Sequence, residues 1–344
     1  MGILTEPYES TVASGGMFTF AQDHRQTYPY QPRCTHLSTP FIVCAMDQHP
    51  MRTAIRKLAL LSLLVLSLSL SDISAQQRAH TLTGNIRYHK NFHSKVLNND
   101  RDVIVYLPPD YGTNKHRYPV LYLQDGQNLF DGATSFIPGQ EWRVDETAQS
   151  LINAHKIKPL IIVGIYNTGK DRVNEYTPVA DEKYKGGNAD SYGRMLIEEL
   201  KPFIDRTYRT KTDFKNTGIG GSSLGGILSL YLALKYKDVF GRVAAVSPSV
   251  WFANKQIVRY VEAGRYRSNL RIWLDIGTKE SREAAESERA VDDTRLLKEG
   301  LIKKGWQLNK NLRYFEDAGA EHNERAWANR VELILSFLFP AKND

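Results

Sequence analysis

The run Gly221-Ser222-Ser223-Leu224-Gly225 decides the fold of this 344-residue chain. It matches G-x-S-x-G, a pattern short enough to occur by chance, so its surroundings matter. The residues before it, 217–220 (TGIG), are typical of a buried strand, and a largely apolar helix is predicted over 224–237. A serine on a sharp turn between strand and helix exposes its hydroxyl oxygen, and flanking glycines make room for that turn. No lysine follows as in a phosphate-binding loop. We therefore predict that Ser223 is a nucleophile.

A nucleophilic serine needs a base, and in this kind of turn the chain order is serine, acid, histidine. The sequence contains nine histidines, but His322 alone follows Ser223. It lies in 317–323 (DAGAEHN), a polar segment between the last predicted strand and the last predicted helix. A loop histidine is usually only solvated, yet this one stands where the base is expected. We predict that His322 takes the serine proton and returns it to the leaving alcohol.

The acid partner is predicted in the loop after the strand at 270–276. Glu280 occupies that loop and is our first choice. Asp275 lies inside the strand, where a buried structural role is expected; it would be the acid if the strand ended early. Asp292 and Asp293 fall at a predicted helix start, where an acidic side chain interacts favourably with the helix dipole.

An oxyanion hole is expected from two backbone N–H groups. One belongs to Leu224, directly after the nucleophile. The other is predicted at Gln127, in the loop 124–130 (QDGQNLF), where Gly126 would let the chain turn. The alternative for this loop is a simple turn.

Short apolar runs alternate with helical patterns from about residue 100 onward. Strands are predicted at 102–107, 119–123, 160–165, 217–220, 243–246, 270–276 and 311–315, and helices at 144–155, 189–207, 224–237, 292–304 and 324–339. Segment 80–94 is predicted to be an N-terminal hairpin or edge strand. Strands that are apolar throughout are typical of a sheet covered on both faces. The pattern predicts the α/β-hydrolase fold, a doubly wound and mainly parallel sheet with helices on both faces.

The longest apolar run, 58–70 (LALLSLLVLSLSL), follows Arg56 and Lys57 and precedes the small residue Ala75. Its 13 residues are too few to span a membrane and match the hydrophobic region of a signal peptide. We predict a secretory signal over 51–75, and hence a secreted or periplasmic protein without a membrane span in the mature chain.

Residues 1–50 precede that signal and are rich in Thr, Ser, Pro, Gln and Gly. We expect them to be disordered, or to come from an upstream start codon assigned in error. Both cysteines, Cys34 and Cys44, lie there. The remaining hydrolase domain, 76–344, therefore offers no disulfide or cysteine-based metal site.

Charge patterning argues against a nucleic-acid partner. Residues 1–75 contain five basic and five acidic side chains, so the net charge of +7 belongs to the rest of the chain. Its basic residues are scattered rather than grouped in a tract, which is typical of a solvated surface. No metal or organic cofactor is implied.

Eight segments in order resemble one known family. They are LYLQDGQNLFD (121–131), EWRVDE (141–146), VGIYN (163–167), RVNEYTP (172–178), GGSSLGG (220–226), SPSVW (247–251), GTKE (277–280) and GAEHNERAW (319–327). This set resembles the putative-esterase family, which holds enterochelin esterases, esterase D, feruloyl and acetyl-xylan esterases and mycolyltransferases. The similarity covers about 102–339.

The resemblance implies a catalytic triad of Ser223, Glu280 and His322, with Gln127 and Leu224 at the oxyanion hole. Many relatives have Asp where this chain has Glu280, and both residues place a carboxylate at this position.

The resemblance also suggests Arg172, Trp142 and Trp251 as substrate-binding residues. The alternatives are a surface salt bridge for Arg172 and core packing for the two tryptophans.

The sequence thus predicts a serine carboxylic-ester hydrolase that forms an acyl-enzyme. By resemblance, its substrate is a small-molecule or glycan ester, either a carbohydrate acyl ester or a siderophore ester. The alternatives are an acyltransferase to a sugar acceptor and an inactive glycan-binding module.

Overall fold

A computed structural model describes residues 79–266 and 269–341. The predicted signal over 51–75, the extension over 1–50 and both cysteines lie outside the described residues, so those interpretations stay predictions. Within the described part, no helix has the length and apolar character needed to cross a bilayer.

The core of the fold is an eight-stranded sheet with the strand order β1-β2-β4-β3-β7-β8-β9-β10. The strands are β1 (Asn85–Ser94), β2 (Asn99–Leu107), β3 (Val120–Gln124), β4 (Ile161–Ile165), β7 (Thr217–Ser223), β8 (Arg242–Pro248), β9 (Arg271–Lys279) and β10 (Leu312–Glu321). β2 pairs antiparallel with β1 and with β4. The other neighbours in this order, β4-β3-β7-β8-β9-β10, pair in parallel. A separate two-stranded hairpin consists of β5 (Ala180–Asp181) and β6 (Lys185–Gly186).

The helices are α1 (Val144–Asn153), α2 (Arg172–Tyr176), α3 (Ala189–Arg194), α4 (Lys201–Thr207), α5 (Leu224–Lys235), α6 (Phe252–Ala263), α7 (Ala284–Lys303), α8 (Glu324–Ala328) and α9 (Val331–Leu338). A π-helical turn, Met195–Leu200, joins α3 to α4. Pro202 follows this turn and has no N–H to donate to the preceding turn, which favours the wider winding. Short 3₁₀ turns occur at Pro109–Gly112, Gly126–Asn128 and Phe214–Asn216.

Alternate residues of the central strands enter two hydrophobic layers. In β3, Val120 and Tyr122 belong to one cluster, and Leu121 and Leu123 belong to the other. The first layer packs against α5, and the second packs against α1 and α9. This explains why the strand segments are apolar throughout: both faces of the sheet are buried. The predicted α/β-hydrolase fold is confirmed.

The helix prediction lacks α2 and α6, and it gives other bounds for α7 and for the C-terminal helix. α7 begins at Ala284 rather than at 292. The prediction missed its first turns because they are polar (AAESERA) and show no apolar periodicity. The predicted helix over 324–339 is divided into α8 and α9 by a turn at Asn329 and Arg330. α6 was missed; its first turn, Ala253 to Lys255, is left-handed, with φ of 46° to 60°.

Candidate active site

Ser223 is the last residue of β7, and α5 begins at the next residue. Its backbone has φ 57° and ψ −125°, a conformation that non-glycine residues rarely adopt and that costs energy to hold. The strain holds the side chain at the tip of the turn instead of along the strand. The predicted turn between strand and helix is therefore present, with β7 three residues longer than expected.

Close packing around Gln124 explains the first glycine of the motif. A Cβ atom on Gly221 would lie 2.9 Å from Gln124 Cβ, closer than real side chains approach. The bare backbone lets β7 pass directly beside the end of β3. The sheet therefore delivers the ends of both strands to the same edge.

His322 follows β10 directly, and Glu280 follows β9. His322 Nδ1 is hydrogen-bonded to Glu280 Oε2. That contact orients the imidazole and leaves Nε2 for a second partner. The Glu280 side chain is 6% exposed and that of His322 is 33% exposed. The acid is therefore shielded, while the imidazole reaches solvent and substrate.

The other oxygen of Glu280 is also bound. Ser247 Oγ donates to Glu280 Oε1 over 2.7 Å, and the N–H of Gly277 donates to the same atom over 2.6 Å. Burial alone would raise the pKa of Glu280, but the hydrogen bond and charge of His322, together with the other two donors, lower it. Glu280 is therefore held as a carboxylate.

Asp275 occupies a different environment from the one that the acid of a triad needs. It is fully buried, and Arg330 Nη1 donates to its Oδ1 over 2.5 Å. Trp273 Nε1 donates to its Oδ2, also over 2.5 Å. Both oxygens thus have partners other than His322 among the described residues. The structural role expected for Asp275 inside the strand matches this position.

Ser247 connects the two acids, and the sequence analysis missed it. Its N–H donates to Asp275 Oδ1 over 3.0 Å while its hydroxyl donates to Glu280. It has φ 38°, a second strained residue at the ends of the strands. Arg330 lies 3.3 Å from the same hydroxyl oxygen. The SPSVW segment was recognised, but its spacing gave no sign of this link.

No hydrogen bond joins Ser223 to His322 within the described part of the chain. Ser223 Oγ lies 3.1 Å from Ser249 Oγ instead. Hydrogen bonds between nucleophile and base are often long without substrate and tighten in the complex. Ser223 and His322 both line the same two cavities, so they face a common space.

The two candidate oxyanion donors stand at helix starts, where N–H groups have no acceptor within the helix. Leu224 is the first residue of α5, and Gln127 lies in the 3₁₀ turn Gly126–Asn128. The residue that turns the chain is Asp125, with φ 56°, and not Gly126 as predicted. Gly126 is needed for contact: a Cβ there would lie 2.6 Å from the carbonyl carbon of Gly164.

Arg172 forms a two-bond ion pair with Asp125, with its Nε 2.8 Å from Oδ1 and its Nη2 2.7 Å from Oδ2. Burial alone would lower the pKa of Arg172, but the charge and hydrogen bonds of Asp125 raise it, so the guanidinium stays charged. The pair braces the turn that carries Gln127. Arg172 also lines a cavity with Ser223, so it combines a salt bridge with a place at the site.

The two tryptophans differ. Trp251 is 47% exposed and lines a cavity with Ser223 and His322. Trp142 is 4% exposed and packs in the second hydrophobic layer, with its ring 5.6 Å from that of Trp327. Of the two interpretations of Trp142, the structure favours core packing, because its ring is buried in this layer just before α1; a contact with substrate stays a prediction.

Two cavities meet at Ser223. One, of about 580 Å³, is lined by Tyr184, Trp251 and Lys255 among others. The other, of about 380 Å³, is lined by Phe136, Ile137 and Trp327 among others. The first combines aromatic and charged groups and the second is more apolar. An ester bound across Ser223 would place one part in each cavity.

The sheet topology, the strained serine turn and the bound histidine define an α/β-hydrolase. The sequence profile of the family described as Putative esterase matches residues 94–338. The chain therefore belongs to the Putative esterase family, which supports the class of carboxylic-ester hydrolases that the sequence predicts.

Relatives extend this comparison. YjcH of Bacillus subtilis is 32% identical over 250 residues, covering 72% of this chain and 94% of that protein. Ferri-bacillibactin esterase BesA of Bacillus subtilis is 33% identical over 159 residues, 42% of this chain and 50% of BesA. An endo-1,4-beta-xylanase/feruloyl esterase of Xylanibacter ruminicola is 30% identical over 214 residues, 58% of this chain and 26% of that protein.

Solved structures share the fold. An IroE-like serine hydrolase from Shewanella oneidensis superposes with a TM-score of 0.60, at 22% identity, over 74% of this chain and 80% of its own. The BES protein from Bacillus cereus gives a TM-score of 0.58 at 22% identity, over 76% and 97%. At this identity the likeness concerns the fold alone.

Proposed function

We propose that the protein is a serine carboxylic-ester hydrolase that works through an acyl-enzyme. The observation that carries the proposal is the hydrogen bond that His322 Nδ1 donates to Glu280 Oε2, beside a serine in a strained turn. His322 Nε2 takes the hydroxyl proton as Ser223 Oγ attacks the acyl carbon. The N–H groups of Gln127 and Leu224 stabilise the oxyanion. His322 then gives the proton to the leaving alcohol, and water releases the acid from Ser223.

Glu280 acts by orientation and charge. It holds the imidazole with Nε2 toward the cavities and stabilises the imidazolium that forms when the proton moves. Because its pKa is lowered, it keeps its negative charge through the cycle. Ser247 and Gly277 fix the carboxylate from behind, so the histidine is the part free to adjust when substrate binds.

The substrate class that we propose is an ester of a carbohydrate or of a siderophore. The similarity to a feruloyl esterase and to a ferri-bacillibactin esterase supports it. The two cavities suit it, because Phe136, Ile137 and Trp327 offer apolar surface to an acyl group in one cavity, and Tyr184, Trp251 and Lys255 accept a polar alcohol in the other. Kinetics on methyl ferulate, a feruloylated arabinoside and a catecholate triserine lactone would separate the members of this class.

The test of the reaction is hydrolysis of p-nitrophenyl acetate by Ser223→Ala. We expect the rate to fall by about 10⁴-fold or more, and a fluorophosphonate probe to label the parent protein but not the variant. Ser150→Ala, at an exposed serine on α1, is the matched control. Full activity in Ser223→Ala would overturn the proposal. A parent protein that the probe does not label would instead favour the inactive glycan-binding alternative.

Transfer to a sugar acceptor is the remaining alternative. It uses the same acyl-enzyme, with a sugar hydroxyl in place of water. Adding trehalose or an oligosaccharide to the assay and looking for the acylated sugar distinguishes the two reactions.

We also propose export, from the predicted signal over 51–75 alone. Mass spectrometry of the native N-terminus is expected to give a chain starting near Gln76. A mature chain that retains residues before Met51 would contradict this.

A further inference from the structure

Three carboxylates lie together at the start of α1, away from the two cavities at Ser223. Glu141 precedes the helix, and Asp145 and Glu146 lie in its first turn. We call these three residues the acidic trio. Each can offer an oxygen to a common point, and those oxygens lie within 4.8 Å of one another. Glu141 and Asp145 are buried, with 6% and 0% of their surface exposed.

In the two buried members, one oxygen is held and the other is free. The N–H of Thr83 donates to Asp145 Oδ2 over 2.6 Å, and the hydroxyl of Thr81 donates to Glu141 Oε1. Asp145 Oδ1 and Glu141 Oε2 are buried and have no hydrogen-bond partner among the described residues. The N-terminal segment thus fixes both carboxylates and leaves an oxygen of each without a partner.

Glu146 repeats the pattern. Its Oε1 lies 3.4 Å from Arg143 Nε, and its Oε2 is buried without a partner within the same described part. The Arg143 side chain is 65% exposed, so its charge lies in solvent and does not neutralise Glu146 within the acidic trio. Every member of the trio therefore has one unsatisfied buried oxygen.

Buried unpaired charge is expensive, so this arrangement needs a positive partner. Two partners can satisfy the oxygens: a metal cation bound among them, or a proton shared between two carboxylates. A single proton satisfies two oxygens, whereas three are free.

We propose that the acidic trio binds one Ca²⁺ ion. Ca²⁺ takes oxygen ligands at about 2.3–2.6 Å, so two oxygens on opposite sides of one ion lie about 4.6–5.2 Å apart. Three oxygens within 4.8 Å of one another can therefore share one ion. The donor set is oxygen only, which selects a hard cation over Zn²⁺ or Cu²⁺. Mg²⁺ gives up its water reluctantly, which disfavours it in a buried site.

The ion would connect three parts of the chain. Thr81 and Thr83 bind the trio from the N-terminal side. Thr81 also bonds through its N–H to Asp131 Oδ1 over 3.2 Å, and Asp131 begins the loop that carries Phe136 into the wall of a cavity. We therefore infer that Ca²⁺ stabilises the N-terminal segment and this loop without touching the reacting atoms.

The first measurement is thermal unfolding of the full chain after EDTA treatment, titrated with CaCl₂. At about a hundredfold excess over the dissociation constant, the melting temperature should rise by roughly 5–10 °C, and the rise should saturate. Asp145→Asn and Glu146→Gln should lose most of this rise. Asp292→Asn, an exposed acid on α7, is the matched control and should keep it.

The second measurement uses Tb³⁺, a luminescent substitute for Ca²⁺ that is excited through a nearby tryptophan. Trp142 is adjacent to Glu141, so the parent protein should show sensitised emission that Ca²⁺ displaces. Circular dichroism of each variant checks that it is folded before binding is judged.

Two outcomes would overturn the proposal. A melting temperature that ignores Ca²⁺, with no sensitised emission, would mean that the trio shares a proton instead. An equal Ca²⁺ response in the parent and in folded Asp145→Asn would place the ion elsewhere.

Discussion

Two groups of buried carboxylates in this protein are built in opposite ways. At the ends of β8 and β9, Asp275 and Glu280 have partners on all four oxygens, and Arg330 supplies a buried counter-charge. At the start of α1, one oxygen of each carboxylate in the acidic trio has no hydrogen-bond partner in the described part of the chain. The first group is complete within the chain. The second needs a positive partner that the described residues do not supply.

The number of hydrogen-bond donors at each carboxylate oxygen distinguishes a positioning network from a binding site. A carboxylate whose donors are all built in can hold a neighbour such as His322 in one orientation. A carboxylate with an unsatisfied buried oxygen gains free energy from any cation that reaches it. Counting donors atom by atom therefore separates the two groups, although both consist of buried acids near the ends of strands or helices.

The largest effect is expected from Glu280→Gln. The amide keeps the size of the side chain but removes the negative charge that supports the imidazolium, so kcat should fall by about 10³–10⁴-fold. Ester hydrolysis under saturating substrate measures it, with the exposed Glu332→Gln as control. A loss below tenfold in a folded variant would mean that Glu280 is not the acid of the site.

Arg330→Met tests whether Arg330 supplies the positive charge that stabilises buried Asp275. The change strands Asp275 as a buried charge without its ion-pair partner, which should lower the free energy of unfolding by about 3–5 kcal/mol. Urea unfolding measures this, and the exposed Arg325→Met should leave stability nearly unchanged. Adding Asp275→Asn to Arg330→Met should recover part of the loss; no recovery would contradict the pairing.

Matched Asp→Asn changes compare the two groups directly. Asp275→Asn removes the buried carboxylate that pairs with Arg330 Nη1 and leaves Arg330 with Asp317, 3.4 Å from its Nε, so the change should cost about 3 kcal/mol. Asp145→Asn, measured in EDTA, keeps an oxygen for the Thr83 N–H and removes an unsupported anion, so stability should change by less than about 1 kcal/mol. A large loss in Asp145→Asn without any cation would show that the trio is complete by itself.

The smallest effect is a pH dependence. The pKa of Glu280 is lowered in the folded protein, so its contribution to stability is present above its unfolded pKa, about 4.3, and is lost as the pH falls through the folded value. The difference in unfolding free energy between the parent and Glu280→Gln should therefore shrink on acidification. A difference that stays constant from neutral to acid pH would contradict the lowered pKa.

Much of the framework follows from local sequence. The apolar runs predicted the parallel strands, and the serine turn was placed because TGIG, GSSLG and an apolar helix follow one another. The order serine, acid, histidine then selected His322 without knowledge of distances. Glu280 was preferred over Asp275 because one lies beyond the strand and the other inside it.

The supporting contacts could not be predicted, because they join segments far apart in the chain. Arg330 is one basic residue before an apolar helix, and only the packing of α9 on the sheet brings it to Asp275. Substrate contact and core packing both stayed open for Trp142, since nothing in its segment shows that its ring turns into the core. The free oxygens of the acidic trio depend on Thr81 and Thr83, about 60 residues upstream.

The position of β10 has a consequence for how activity is gained. β10 lies at the edge of the eight-stranded sheet and pairs in parallel with β9, and the base follows its last residue. Parallel strand pairs with long connections form late in folding, because closing the connecting loop costs entropy before the strands can form their contacts. We therefore expect refolding protein to regain its helical signal before it regains hydrolysis. Recovered hydrolysis would therefore report that the parallel pairing of the sheet is in place, and not only that the helices have formed.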